Sequence, residues 1–460
     1  MKRVSLLLVL CLIIGCFAGC GGKETSTGAK DKIVIWSNNA HSKNFYNEKI
    51  NEFNKTIGAE NGIEVEYIIK DNMGQAVELA FVSDQAPDLM IGAGLEKLAG
   101  DGSIISFDEL ENGQKYIDKY QEHLVENRNM INGKTYSLPL NSTTYGLIYN
   151  KDMFRAAGIV DENGEPTPPE TWDELVEYAK KLTNPAKQEF GIVFNAKDSF
   201  WFGTDINQSA AAAGGYVDGM NKHTQKFDFS VHAEIMKKIM QIKKDGSYVP
   251  GAEGLSNDAA RARFAAGGIG MKTAGSYDYA VLTEQFPAKI DWGVAPMPTL
   301  EKGERYAQYC LYNSNLSMNR KSVEKYGEEK ILLVYDYLQN DDFVIDMYKE
   351  GVGIPYDFSL VKDVKIEDKP QWQQFAELLE ISMKPSKVLG VKSDATGITS
   401  IVTIWNEIWA QKHKVSDIDR LIEDYTKQRN AGIDKYIKEH PDYVVPEPAP
   451  NDTRTKVTWK

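Results

Sequence analysis

The sequence predicts an α/β protein divided into two lobes. Strand-type and helix-type segments alternate from the first ordered residues, and 460 residues exceed the roughly 250 to 300 at which a single hydrophobic core stops growing. With 42% hydrophobic and 26% charged residues, the body has the composition of a soluble globular chain rather than a disordered or membrane-embedded one.

The first element is an export signal. Lys2 and Arg3 precede the apolar run Val4 to Ile14, and Ala18-Gly19 stand before Cys20. The run is too short for a bilayer, which takes about 20 residues. Its Ala-Gly-Cys end resembles the lipobox of bacterial lipoproteins, which implies removal of residues 1–19 and a diacylglycerol on Cys20. Phe17 departs from the aliphatic residue usual there, and Ile13-Ile14-Gly15-Cys16 is a competing match; the polar run after Gly21-Gly22 suits a tether at Cys20. Cys11 and Cys16 leave with the signal. Only Cys310 then remains in the body, which excludes an internal disulfide and reads as a small buried apolar residue.

Residues 20–31 form a lipidated flexible tether. Lys32 to Ser37 then reads as a strand, and Phe45, Tyr46, Ile50, Phe53 and Ile57 recur at helical spacing. Ile63 to Lys70 is β-branched and alternating, Gln75 to Ser83 reads as a helix, and Pro87 to Gly92 as a strand. This βαβαβ order requires right-handed crossovers and a parallel sheet, whose ligands lie beyond the carboxyl ends of its strands. Those ends are Asn38-Asn39-Ala40 and Gly92-Ala93-Gly94. Asp88 reads as a carboxylate bonding nearby backbone N–H groups. Further on, Tyr145 to Asn150 is extended, and Thr171 with Glu174 forms a capping box before a helical face of Trp172, Leu175, Val176, Ala179 and Leu182.

Five motifs, in order, resemble the extracellular solute-binding proteins of ABC importers, in the large carbohydrate-binding group (family 1) that includes maltodextrin-binding proteins. They are Ala86 to Met90 (APDLM), Asn132 to Leu140 (NGKTYSLPL) with YGLIYNKDMF, Pro169 to Leu175 (PETWDEL), Phe264 to Gly275 (FAAGGIGMKTAG) and Gly293 to Pro298 (GVAPMP). Coverage runs from about Lys32 to about Lys438. The resemblance implies a periplasmic-binding-protein-like fold with two discontinuous α/β lobes, a hinge and an inter-lobe cleft. Lobe 1 is expected over 32–142 plus about 299–345, and lobe 2 over 147–297 plus about 350–440. Crossings are expected near Asn141 to Leu147, Met297 to Tyr312 and Asp342 to Pro355. Residues 441–460 form a polar tail with no assigned role.

A sugar offers a C–H face and a hydroxyl edge, so its receptor needs aromatic plates with side chains that donate and accept. Tyr277 is the leading candidate, because Gly275-Ser276-Tyr277 stands where the family usually has Gly-x-Trp. Asp278 beside it can bond a hydroxyl pair or begin a helix. Trp201, in the stretch Ser199 to Phe202, is placed by the resemblance on a second-lobe loop that stacks on sugar. Asn38 and Asn39 follow the opening strand and serve either hydroxyl contact or a turn. Thr143 lies where relatives often carry an acidic ligand residue, and Tyr145 is its neighbour. Trp405 and Trp409 share a helix face, a spacing typical of a core; Trp405 is kept as a cleft wall. Lys272 near Tyr277 leaves room for a uronate.

Other chemistry is absent or incomplete. Gly133-Lys134-Thr135 lacks the earlier glycine of a P-loop, where Arg128 stands, and Gly92-Ala93-Gly94 lacks the third glycine of a dinucleotide fingerprint. Ala274 to Tyr277 does not complete a nucleophile elbow. The six histidines show no zinc spacing. No cofactor is expected; irregular calcium sites stay open. A net charge of −13 disfavours nucleic acid. The expected partners are a carbohydrate, ABC permease subunits and the membrane through the N-terminal lipid, with the protein a monomer on the outer face of a bacterial cell. The alternatives are a secreted glycosidase or lyase, which needs two carboxylates about 5 to 10 Å apart, and a non-transporting glycan-binding surface protein. Lobe closure on the ligand would present the shape a permease recognises.

Overall fold

The computed structural model describes residues 30–126, 128–216, 218–221, 223–313, 316–383, 394–441, 443, 445 and 455–459. The signal, Cys20 and most of the tether lie outside the described residues.

The chain opens β1 (Asp31–Ser37), α1 (Lys43–Lys55), β2 (Ile63–Ile69), α2 (Met73–Val82) and β3 (Leu89–Ile91). Helix α1 buries Phe45, Tyr46, Ile50 and Phe53, the face that the 3.6-residue spacing selects. Strand β4 (Ile104–Ile105) follows. Next come β5 (Asn141–Thr143) and, one residue on, β6 (Tyr145–Asn150). Helix α3 (Trp172–Lys181) starts at the capping box, Thr171 Oγ1 accepting from Glu174 N at 3.2 Å and Glu174 Oε2 from Thr171 N at 3.2 Å. Beyond it lie β7 (Phe190–Val193), α4 (Ser199–Gly214), α5 (Ser230–Asp245), α6 (Asn257–Ala265), β8 (Ile269–Gly275) and β9 (Trp292–Ala295). The remainder supplies β10 (Gln308–Tyr309), β11 (Leu311–Asn313), β12 (Leu316–Asn319), β13 (Ile354–Pro355), β14 (Ser382–Met383) and α7 (Ile401–Trp409).

Two larger sheets organise the two lobes. The first has the order β2-β1-β3-β12-β4, with β1 parallel to β2 and β3. It is not wholly parallel, because β12 runs antiparallel to β3 and β4. Strand β12 arrives from β11 rather than by a helical crossover, so the crossover rule does not set its direction. Asp88 anchors this strand end: its Oδ2 accepts from Val34 N at 2.7 Å and its Oδ1 from the Ser322 hydroxyl. The second sheet has the order β9-β6-β8-β7.

A small third sheet joins them. Strand β5 pairs antiparallel with β11 and β13. From it the chain runs on into β6 of the second sheet and into β12 of the first. Three passages of the chain thus meet in one short ladder, a geometry that confines bending to a few residues. Helix Asp341–Glu350 still buries Phe343, Val344 and Met347 in the first core, so that passage lies at β13.

Each lobe has its own apolar interior. Ile33, Ile35, Phe53, Leu89 and Phe107 sit in the first, and Phe154, Trp172, Leu175, Phe202 and Ile206 in the second. Cys310 is buried, its Sγ donating to Met383 O at 3.2 Å. Among the described residues no helix is long and apolar enough to cross a membrane.

Trp405 belongs to this second core, not to a cleft wall. It is 0% exposed and stacks on His232 of α5 with ring planes 2° apart. The i, i+4 spacing with Trp409 directs both rings of α7 inward, where Trp409 meets Phe194 and Phe202. Burial pushes His232 down to about 4, so the unfolded chain binds the extra proton between about pH 6.5 and 4. Stability therefore rises with pH across this window and is lost on acidification. Asp205, raised to about 7 by burial, acts in the opposite sense, so a comparison of variants isolates the histidine. Between pH 7 and 5, His232→Leu is expected to lose about 2 kcal/mol less stability than the unaltered chain, measured by urea unfolding at each pH.

Candidate functional site

Residues from both lobes and from the crossing strands converge around Tyr277. Its ring lies 6.0 Å from Trp201, 6.4 Å from Tyr145 and 6.4 Å from His41, centroid to centroid. Trp201 and Tyr277 come from the second lobe, Tyr145 from the crossing strand entering it, and His41 from the turn after β1 in the first. The groove between the lobes is therefore bounded by aromatic rings on each side.

The backbone explains the position of Tyr277. Strand β8 ends at Gly275, and a Cβ there would stand 2.5 Å from the tyrosine ring. Glycine lets the ring fold back against the strand end. Ser276 N donates to Thr144 O at 2.9 Å, tying this turn to the crossing segment. Burial raises the hydroxyl pKa of both Tyr277 and Tyr145 above the ordinary tyrosine value, so both remain neutral donors.

Asp278 supports the platform from below. It is 1% exposed, and both its oxygens are engaged: Oδ1 accepts from Arg261 Nε, and Oδ2 from Gly275 N at 3.0 Å. The guanidinium of Arg261 lies 5.6 Å from the Tyr277 ring centroid and also pairs with Asp258 at 2.8 Å. These contacts assign Asp278 to holding Arg261 and the turn, in place of the hydroxyl contact expected of it.

Trp201 lies in the first turn of α4, not on a loop. Phe202 beside it is 0% exposed in the core, which leaves Trp201 half-buried toward the groove. An open concavity of about 670 Å³ beside it is lined by Asp198, Asn257, Asp258 and Arg261 among others. Another, of about 660 Å³, lies around Pro185, Phe190 and Ile269. That one is at the start of β8, whereas Tyr277 follows its end.

In the first lobe, the Asn38 carboxamide packs over Gly92, whose φ of +81° and missing Cβ make room for it. Asn38 is exposed. Asn39 is half-buried, its backbone N–H donating to Ser37 Oγ at 3.0 Å. Thr143 is 6% exposed on β5, paired with Leu311. Asn38 and Asn39 thus occupy the strand end beside the His41 turn, and Thr143 sits in the crossing ladder. Trp405 stands apart from all of them.

Three residues join the site that sequence reading missed. His41 carries the first lobe's ring to Tyr277; burial foremost, and then the Arg261 charge, hold it below its ordinary pKa, so it can both donate and accept. Asp205 sits one turn after Trp201 on the same face of α4, and its raised pKa near 7 arises from burial offset by Lys272. Arg261 is the third. Lys272 is 2% exposed with its amine donating to Thr273 O at 2.7 Å, and burial lowers its pKa; the room for a uronate that its sequence position left open is thus not matched by an exposed amine.

Near Tyr145, Arg128 Nη2 donates to Tyr309 Oη at 3.2 Å. Asp218 and Asn207 meet there at 2.6 Å. Among the described residues, no group of three or more His, Cys, Asp or Glu is placed to hold a metal ion.

The sequence pattern described as bacterial extracellular solute-binding protein matches residues 39–342, more than half of the chain. The chain belongs to this family. The solute-binding protein is thus a capture protein and not an enzyme. It is 27% identical over 273 residues to the sn-glycerol-3-phosphate-binding periplasmic protein UgpB of Brucella abortus, covering 55% of this chain and 59% of that one. It is 23% identical over 316 residues to the multiple sugar-binding protein of Streptococcus mutans, covering 66% and 71%. Among solved structures, it resembles the maltose/maltodextrin-binding domain MalE of Bdellovibrio bacteriovorus bound to maltotriose, with a TM-score of 0.65, 18% identity and coverage of 88% and 100%. The family places the solute-binding protein outside the cytoplasm of a bacterium.

Proposed function

We propose that this protein captures a neutral sugar or oligosaccharide between its lobes and delivers it to an ABC import permease. The observation that carries the reading is the aromatic enclosure of Tyr277 by Trp201, Tyr145 and His41. Such rings match the apolar face of a sugar. Asn38, Asn39 and Thr143 supply amide and hydroxyl groups for its edge.

The charges beside the platform favour a neutral ligand over a phosphate or carboxylate. Arg261 is held by Asp278 and Asp258, and Lys272 is buried on a backbone carbonyl. An anion would compete with these carboxylates for Arg261 and would have to reach an amine that the fold buries. Closure of the lobes about the β5, β11, β13 ladder would require preferential binding to the closed form, about 5.5 kcal/mol to move a 1:99 population to 99:1. Cys20 would tether the body, as a monomer, to the outer face of the cell membrane.

A thermal-shift panel tests the reading, with neutral mono- and oligosaccharides including maltotriose set against glycerol 3-phosphate and uronates. A ligand at 100 times its Kd adds about 2.7 kcal/mol of stability, so a neutral glycan should raise the midpoint. Stabilisation by the anionic members alone would refute it. For the glycan found, Tyr277→Ala should weaken binding to the folded protein by about tenfold or more, measured by calorimetric titration.

A further inference from the structure

The sequence assigns no role to the C-terminal tail, yet Thr455 to Trp459 is seated on the body through an isolated β-bridge. Lys456 bridges Tyr306 in antiparallel register. Ala307 N donates to Thr455 O at 2.8 Å, and Val457 N donates to Arg305 O at 3.0 Å. The Lys456 amine reaches Glu304, and Val457 and Trp459 pack on the second-lobe core beside Ile381.

The segment it pairs with leads directly into β10, on one of the passages between the lobes, and that passage carries groove residues. Directly after Ala307, Gln308 Nε2 donates to the carbonyl of Tyr145, the ring facing Tyr277, and Tyr309 Oη receives Arg128. Segment 305–309 is held on two further sides. Tyr306 N donates to Ala212 O at 2.9 Å, on the helix whose first turn bears Trp201, and β10 pairs with β14.

We infer that residues 455–459 are a positioning element for the ligand groove: by bridging to 305–307 through two backbone hydrogen bonds, they fix Gln308 and Tyr309, and through Gln308 the Tyr145 ring. Without this edge partner the backbone groups of Arg305 and Ala307 face solvent, and the passage gains freedom that ligand binding must then remove. The inference does not depend on which solute the groove takes.

The test compares the full chain with one ending at residue 454. Hydrogen exchange in segment 304–310 should accelerate by about tenfold or more, the scale set by two lost backbone hydrogen bonds, while exchange in 31–69 stays unchanged. With 3-fluorotyrosine incorporated, the 19F resonances of Tyr309 and Tyr145, assigned through Tyr309→Phe and Tyr145→Phe, should both move. Should the shortened chain fail to fold, Trp459→Ser in the full chain should produce the same changes in smaller measure. Unchanged exchange in 304–310, or faster exchange there with both tyrosine resonances in place, would overturn the assignment.

Discussion

Asp278→Ala should cost the protein about 3 kcal/mol and displace Tyr277 at the same time. The carboxylate is 2% exposed and its partner Arg261 12%, so removing it leaves a guanidinium half-compensated in a dry setting. Breaking a buried pair from one side costs about 3 to 5 kcal/mol. The lower end applies because Asp258, 68% exposed, still pairs with Arg261. The Gly275 N–H also loses its acceptor, which frees the turn that presents the tyrosine. Asp278→Asn should be milder, since the amide oxygen can keep the Gly275 bond while the charge is lost. Urea unfolding combined with calorimetric titration separates the two effects. An alanine variant of full stability and affinity would show that Asp278 supports neither the turn nor the platform.

Trp405→Ala should destabilise by about 3 to 5 kcal/mol, the usual cost of emptying a large buried aromatic site. Trp405 packs with Ile408, Ile418 and Ile422 and stacks on His232. The cavity would open inside the second lobe, on the far side of α4 from the groove-facing Trp201. Glycan affinity of the folded fraction should therefore stay within about twofold. A large loss of affinity at modest loss of stability would return Trp405 to the ligand site.

Elements fixed by local chemistry were legible in the sequence. The βαβαβ start, the capping box at Thr171 and Glu174, and the strand Tyr145–Asn150 each follow from spacing or side-chain bonding within a few residues. Tyr277 was legible through its glycine, whose physical reason is the ring lying against the strand end. His41 was not, because its contact with Tyr277 arises only when segments more than 200 residues apart are brought together; Arg261 was not, because its partner Asp278 lies 17 residues on, beyond the rest of α6 and the whole of β8. Asp205 left a trace, four residues after Trp201 on one helix face. The tail left one too: Val457 and Trp459 alternate with Lys456 and Thr458, the period of an edge strand, which the surrounding prolines and charges obscured.

Strand β1 also sets the polarity of the whole particle. Asp31 opens it and Ser37 closes it beside the site, so the two ends stand roughly 20 Å apart at about 3.3 Å per residue. Asp31 therefore stands at the rear of the first lobe, opposite the mouth that admits solute. A molecule moored by that end would have its point of attachment and its entrance on opposite faces, so that anchoring leaves the entrance unobstructed.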